Sequence, residues 1–161
     1  MKVQIRHLGD GAHSFKDTVK SADLELDDSI FKGDVRVQGE VEKIGDTYHL
    51  RFSIATPVWH SCDRCLVEFE SMVDGRCSLI YAADPELDRD DDTIRIIDST
   101  QPEIDISNEL RETALLAIPF KLICKENCKG LCSTCGENLN HAHCSCNKRP
   151  SDPRWDALRN L

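Results

Sequence analysis

From Val35 to Val41 apolar and polar residues alternate one by one. A two-residue period places every second side chain on one face of an extended strand. Gly45-Asp46 breaks the pattern as a turn, and Tyr48, Leu50, Phe52 and Ile54 resume it. The pair predicts a β-hairpin with one buried face. Past Pro57 the chain reads Cys62-Asp63-Arg64-Cys65, and a further β segment runs from Val67 to Tyr81. The Cys-x-x-Cys unit therefore falls on a strand–strand turn.

The flanks are less regular. Gly9-Asp10-Gly11 is a turn signal, and Val19 to Leu26 alternates weakly, as one strand would. Thr93 to Asp98 is a short β run. From Asp105 the period lengthens: Ile106, Leu110, Ala114 and Ala117 recur at helical spacing, with Leu115 and Leu116 widening the stripe. Asp105 or Ser107 supplies an N-cap and Pro119 a stop, which predicts a helix over 106–118. Asp152-Pro153 opens a second, short helix whose Trp155, Leu158 and Leu161 share a face. The expected architecture is α+β. An antiparallel meander with one packing helix fills 1–119, and a Cys-rich segment with a short terminal helix fills 120–161.

Length and composition leave that picture standing. The 161 residues are 40% hydrophobic and 30% charged, enough for one cored domain with an appendage. No apolar run reaches the roughly 20 residues of a bilayer span, and Met1 to Arg6 leads into no signal-peptide core, so a cytoplasmic protein is expected. The formal charge of −9 excludes a basic clamp spread over the whole surface. Charge is unevenly distributed: residues 121–161 carry +3 and the remainder −12. In Asp84 to Asp92 six of nine residues are acidic, the composition of a solvated loop.

Cysteine alters the picture most. Nine cysteines stand at 62, 65, 77, 124, 128, 132, 135, 144 and 146, six of them within the 23 residues 124–146. An odd count without an export signal argues against a disulfide framework. Clustered thiols in a reducing compartment point to metal, and Zn²⁺ takes four such ligands at tetrahedral corners. Cys132-Ser133-Thr134-Cys135-Gly136 is a second knuckle of the Cys-x-x-Cys type. Setting Cys77 aside as a small buried apolar residue, eight cysteines divide into Cys62, Cys65, Cys124, Cys128 and Cys132, Cys135, Cys144, Cys146. A single site within 124–146, with Cys62 and Cys65 free, is the other arrangement, and a metal-free chain the third. Cys144-x-Cys146 requires a bent backbone, and His141 or His143 is an alternative ligand there; His60 is more simply a strand residue.

No phosphate-binding glycine loop, Gly-x-Ser-x-Gly or His-Glu-x-x-His occurs in the chain. Closed tetracysteine sites leave no position for a catalytic water. The functional expectation is a non-enzymatic binding protein. Lys125, Lys129, Lys148, Arg149 and Arg154 are its candidate RNA contacts, and the acidic stretches 84–92 and 103–112 suit a basic protein partner. The alternative is a thiol-redox or zinc-responsive protein using Cys62 and Cys65, whose pKa Arg64 would lower.

Cys62-Asp63-Arg64-Cys65-Leu66, Leu115-Leu116-Ala117-Ile118-Pro119, the cysteine run with Lys129-Gly130-Leu131-Cys132 and Cys135-Gly136-Glu137-Asn138-Leu139-Asn140, and Asp152-Pro153-Arg154-Trp155-Asp156-Ala157-Leu158 together resemble the YceD family. The resemblance covers 58–161; residues 1–57 share only a β-rich character. It implies a ribosome-biogenesis role, accumulation of large-subunit (23S) rRNA. No enzymatic activity goes with it. The partners it implies are large-subunit rRNA, a ribosomal protein, or both.

Overall fold

The computed structural model describes residues 1–84, 93–98 and 100–146. The helix expected over 152–161 and all but Asp84 of the acidic run lie outside them. Strands β3 (Val35–Ile44), β4 (Thr47–Ser61) and β5 (Glu68–Ala82) form the expected antiparallel meander, and β2 (Gly11–Val19), which the sequence pattern did not disclose, adds an antiparallel strand beside β3. Short β6 (Ile94–Ile96) joins its far edge parallel to β5, so the sheet is mixed rather than purely antiparallel.

The alternation sets the faces. Leu50, Phe52, Ile54, Thr56 and Val58 of β4 are buried, and register places them beside Val37, Val41, Val73 and Leu79 on the same side. β4 runs straight through Pro57. Trp59, two residues on and of the same parity, donates its N–H to Ile30 outside the ladder. The N–H that proline lacks would point to that side, where β3 has already ended, so no ladder bond is lost.

The buried face is covered by a second layer. Helix α1 (Ser107–Leu116) turns Leu110 and Ala114 inward, with Ile106 just before its first turn. It approaches β5 so closely that a Cβ on Gly75 would lie 2.6 Å from the Thr113 methyl. Asp105 accepts the Ser107 N–H at 3.0 Å, but the N-cap position falls on Ile106, which makes no side-chain cap bond, so neither expected cap residue stands there. Leu115 and Leu116 do not widen the stripe: 44% and 85% exposed, they sit 100° and 200° around the helix from Ala114.

Two further elements were not legible. β1 (Lys2–Gln4) pairs with β7 (Glu103–Asp105), bringing Val3 opposite Ile104 in the core. Part of the acidic surface expected at 103–112 is thereby engaged, since Glu103 binds Lys2 and Gln4, and Asp105 binds the Met1 amino group. The strand expected over 19–26 does not form: β2 ends at Val19. A 3₁₀ turn, Ser21–Leu24, follows, with Glu25 in a left-handed conformation. Leu24 and Leu26 both reach the core from this turn, so their alternate spacing reflects burial without a strand. Among the described residues no helix is long and apolar enough to cross a membrane.

Candidate metal centre

The turn between β4 and β5 is a compact knuckle. Cys62 donates its N–H to Val67 at 2.9 Å, and Leu66 returns an N–H to the Cys62 carbonyl at 2.9 Å. Leu66 holds φ 58°, an uncommon left-handed value for leucine. The segment after α1 is clamped to this turn. Asp63 donates its N–H to Leu122, and the Asp63 carboxylate accepts the Leu122 N–H at 2.7 Å. Arg64 reaches the Cys128 carbonyl at 3.0 Å, while its own carbonyl accepts the Leu131 N–H at 3.0 Å. Gly130 makes that approach possible: φ is +73° and a Cβ would meet the Arg64 carbonyl at 2.9 Å. These bonds carry Cys124 and Cys128 to the sulfurs of Cys62 and Cys65.

The second knuckle repeats the first. Cys132 donates its N–H to Glu137 at 2.8 Å, Gly136 donates to the Cys132 carbonyl at 2.9 Å, and Gly136 sits at φ 76°. Here glycine supplies the left-handed conformation without strain. A bridge between Leu131 and Asn138 pairs the two sides of this loop. Cys144 and Cys146 then return to it, and the Cys146 N–H bonds to the Cys144 sulfur at 3.2 Å, which supplies the bend that Cys-x-Cys requires.

Eight cysteines thus assemble into two groups of four, divided as the tidier of the sequence arrangements has them: Cys62, Cys65, Cys124, Cys128, and Cys132, Cys135, Cys144, Cys146. Within each, all sulfurs lie within 4.8 Å of one another. Tetrahedral Zn²⁺ with Zn–S of about 2.3 Å requires sulfur–sulfur edges of about 3.8 Å. The first group has Cys62–Cys128 at 3.8 Å and Cys65–Cys124 at 3.7 Å. The second is slightly contracted, with Cys135–Cys144 at 3.4 Å and Cys132–Cys144 at 3.3 Å. Both donor sets fit a tetrahedral soft cation, and four protein thiolates complete its shell.

The electrostatics favour a cation as well. The N–H of Cys124 brings the Cys62 thiol down to about 6, and the N–H groups of Cys135 and Thr134 bring Cys132 to about 6. Burial, with the neighbouring sulfurs, pushes Cys124 up to about 12. At Cys144 the Cys146 N–H pulls downward, but the sulfurs of Cys132, Cys146 and Cys135 outweigh it and leave it at about 12. Bare, neither group holds four thiolates together; a divalent ion removes that repulsion.

The remaining candidates stay apart. Cys77 is partly buried against the main core, and burial raises its thiol. His60 is buried against Phe69, while His141 and His143 are exposed and join neither sulfur group. Lys125 and Lys129 are exposed beside the first group. Lys148, Arg149 and Arg154 lie outside the described residues. Sequence reasoning missed Asn140. Its side chain accepts the Lys129 N–H at 2.9 Å and donates to the Cys128 sulfur at 3.4 Å, tying the second loop to the first cluster. The Asn138-Leu139-Asn140 spacing was the one signal, since short amides fold back on their own backbone.

Comparison with known proteins places these features. The family described as large ribosomal RNA subunit accumulation protein YceD matches residues 50–161, which contain both knuckles and α1. A chloroplastic YCED homolog 1 of Zea mays is 42% identical over 76 residues, 47% of this chain and 26% of its own length. Its Arabidopsis thaliana counterpart is 42% identical over 59 residues, 37% of this chain and 18% of its own. An uncharacterized protein of Mycobacterium tuberculosis is 29% identical over 126 residues, 73% of this chain and 57% of its own. The chain therefore spans less than two thirds of each of these relatives. No solved structure matches it significantly. With the family pattern covering well over half of its length, the chain belongs to the YceD family, described as large ribosomal RNA subunit accumulation proteins.

Proposed function

We propose that this protein is a non-enzymatic ribosome-biogenesis factor that supports accumulation of large-subunit (23S) rRNA by binding the rRNA, a large-subunit ribosomal protein, or both. Two structural zinc ions hold its C-terminal segment in shape. The carrying observation is the pair of tetracysteine groups in a member of a family named for rRNA accumulation. Four thiolates per ion leave no open coordination position, so zinc here supplies folding energy rather than a reactive water. Cys62, Cys65, Cys124 and Cys128 would staple 120–131 to the sheet. Cys132, Cys135, Cys144 and Cys146 would shape the loop next to Lys125 and Lys129, from which Lys148, Arg149 and Arg154 follow along the chain. Against the thiol-redox alternative stand the full burial of Cys62 and a setting between antiparallel strands, where redox pairs ordinarily open a helix.

The test is genetic and biochemical. Cells lacking the protein are expected to show a lowered ratio of 23S to 16S rRNA, restored by the wild-type chain and not by Cys62→Ser. Crosslinking to rRNA should fall when Lys125 and Lys129 are reversed in charge. An unchanged rRNA ratio in cells lacking the protein would overturn the reading.

A further inference from the structure

The second layer leaves one face of the main sheet open, and this face carries a charge pattern that the chain's overall acidity conceals. Register lines up Lys16, Gln38, Ser53 and Arg76 as one row across β2, β3, β4 and β5. Arg36 stands in the adjacent row on one side, between Thr18 and Ala55, and Arg51 in the row on the other, between Glu40 and Ser78. The face is concave there. Two adjoining hollows of about 870 Å³ and 720 Å³ share Lys16, Gln38, Ser53 and Arg76 as their floor.

Lys16, Arg36 and Arg76 are exposed and have no ion-pair partner among the described residues, whereas Arg51 contacts Glu42 at 3.3 Å. Asp74 and Glu40 occupy the margins and Asp17 lines the first hollow, so the two hollows carry four cations against three carboxylates. Three cations without an ion pair thus gather in one trough of a chain of net charge −9. The spacing suits an extended polyanion, because neighbouring strands are about 4.8 Å apart and the row from Lys16 to Arg76 crosses three such steps.

We infer that this open face is a phosphate-backbone contact for RNA, separate from the C-terminal basic residues. The inference rests on the rRNA reading above and names a surface for it. A basic or acidic protein partner fits less well. Protein interfaces are anchored by buried aromatic or aliphatic side chains, and the three rows offer no apolar side chain larger than Ala55. Arg36 and Arg76 present planar forks matched to phosphate oxygens, and Gln38 and Ser53 supply hydrogen bonds between them. Such contacts position the nucleic acid without reading its sequence.

The test is a salt titration of the full chain against a short single-stranded RNA and against deproteinised 23S rRNA, followed by fluorescence anisotropy. Arg36→Glu with Arg76→Glu removes two phosphate contacts. Affinity should fall about ten- to twenty-fold at about 0.15 M salt, and the slope of log affinity against log salt should drop by about two. Lys16→Gln with Arg76→Gln, which only neutralises, serves if charge reversal disturbs the sheet as judged by circular dichroism. Wild-type-like affinity and slope in both pairs, with loss on reversing Lys125 and Lys129, would overturn the sheet-face contact while leaving the rRNA role intact. Retention of a protein partner after nuclease, lost in the Arg36 and Arg76 pair, would also overturn it, in favour of an acidic protein. Failure of the rRNA role itself is read separately, from the 23S to 16S ratio in cells lacking the protein.

Discussion

The two knuckles share one hydrogen-bond diagram and live in different surroundings. In each, the first cysteine's N–H reaches the residue five positions on, the residue four positions on returns its N–H to the first cysteine's carbonyl, and that returning residue is left-handed. The knuckle at Cys62 is the mouth of two fifteen-residue strands, and its partners Cys62, Cys65 and Cys128 are buried. The knuckle at Cys132 hangs on a loop, and Cys135 and Cys146 are exposed. The local turn therefore needs no sheet beneath it. What the sheet adds is burial, which the second knuckle lacks.

Removing one ligand from each site should expose this contrast most strongly. Cys62→Ser is expected to lower zinc content from about two to about one and to collapse the packing of 120–131 on the sheet. Structural zinc contributes on the order of 10 kcal/mol of binding free energy, comparable with the whole stability of a domain. Cys132→Ser should also remove one zinc but leave the melting of the sheet nearly unchanged. Metal analysis with thermal melts checks both. Equal melting shifts would show that burial does not distinguish the sites.

Chelation should separate the same two sites in time. The exposed group is open to chelator and loses its ion first, so a thiol reagent should find four reactive sulfurs before the remaining metal-bound ones, with Cys77 independent of both. Residues 131–146 should then melt while the sheet signal persists in circular dichroism. Simultaneous release of both ions would instead mean that the loop and the knuckle act as one cooperative unit. Asn140 is the side chain to examine for such coupling. Asn140→Ala removes its bonds to Lys129 and the Cys128 sulfur, and should destabilise by about 1–2 kcal/mol while bringing the two release steps further apart.

The contrast also marks what a sequence can disclose. The meander was legible because one face of β3, β4 and β5 is buried, which prints a two-residue period over long runs. The Cys-x-x-Cys spacing likewise stated its own chemistry. The even division of eight cysteines was legible only as one arrangement among several, because what brings Cys124 to Cys62 is the Asp63–Leu122 clamp and the Arg64–Gly130 approach, both tertiary. The β1–β7 ribbon left no signal, being three residues long and joined across 100 positions. The cationic trough was invisible for a related reason. Lys16, Arg36 and Arg76 lie on three strands, and only register unites them within an acidic chain.

Substitutions at the left-handed positions and the glycine contacts sharpen the comparison at smaller scale. Gly130→Ala meets both a positive φ and the Arg64 carbonyl at 2.9 Å. Gly136→Ala meets the positive φ alone, with open space around it. The left-handed penalty is about 1–2 kcal/mol. Gly136→Ala should cost about that much, measured by denaturant unfolding of the zinc-loaded protein. Gly130→Ala should cost more and also loosen the first site, because the clash lies between the two segments that the site joins.

The smallest effect is expected where the two knuckles differ in chemistry and agree in shape. Leu66 does in the first turn what Gly136 does in the second. Placing glycine there relieves a left-handed strain of about 1–2 kcal/mol. Two terms oppose the gain. Glycine raises the entropy of the unfolded chain by about 0.5–1 kcal/mol. Leucine at 66% exposure also covers some apolar surface, which at about 25 cal/mol per Å² contributes a further few tenths of a kcal/mol. The sum is close to zero, so Leu66→Gly should shift unfolding by less than about 0.5 kcal/mol. Leu66→Ile keeps the apolar bulk but adds branching at Cβ, which a left-handed backbone tolerates poorly, and should destabilise by about 1 kcal/mol or more. A large loss from the glycine variant would show that the leucine side chain, rather than the turn it completes, supports the first knuckle.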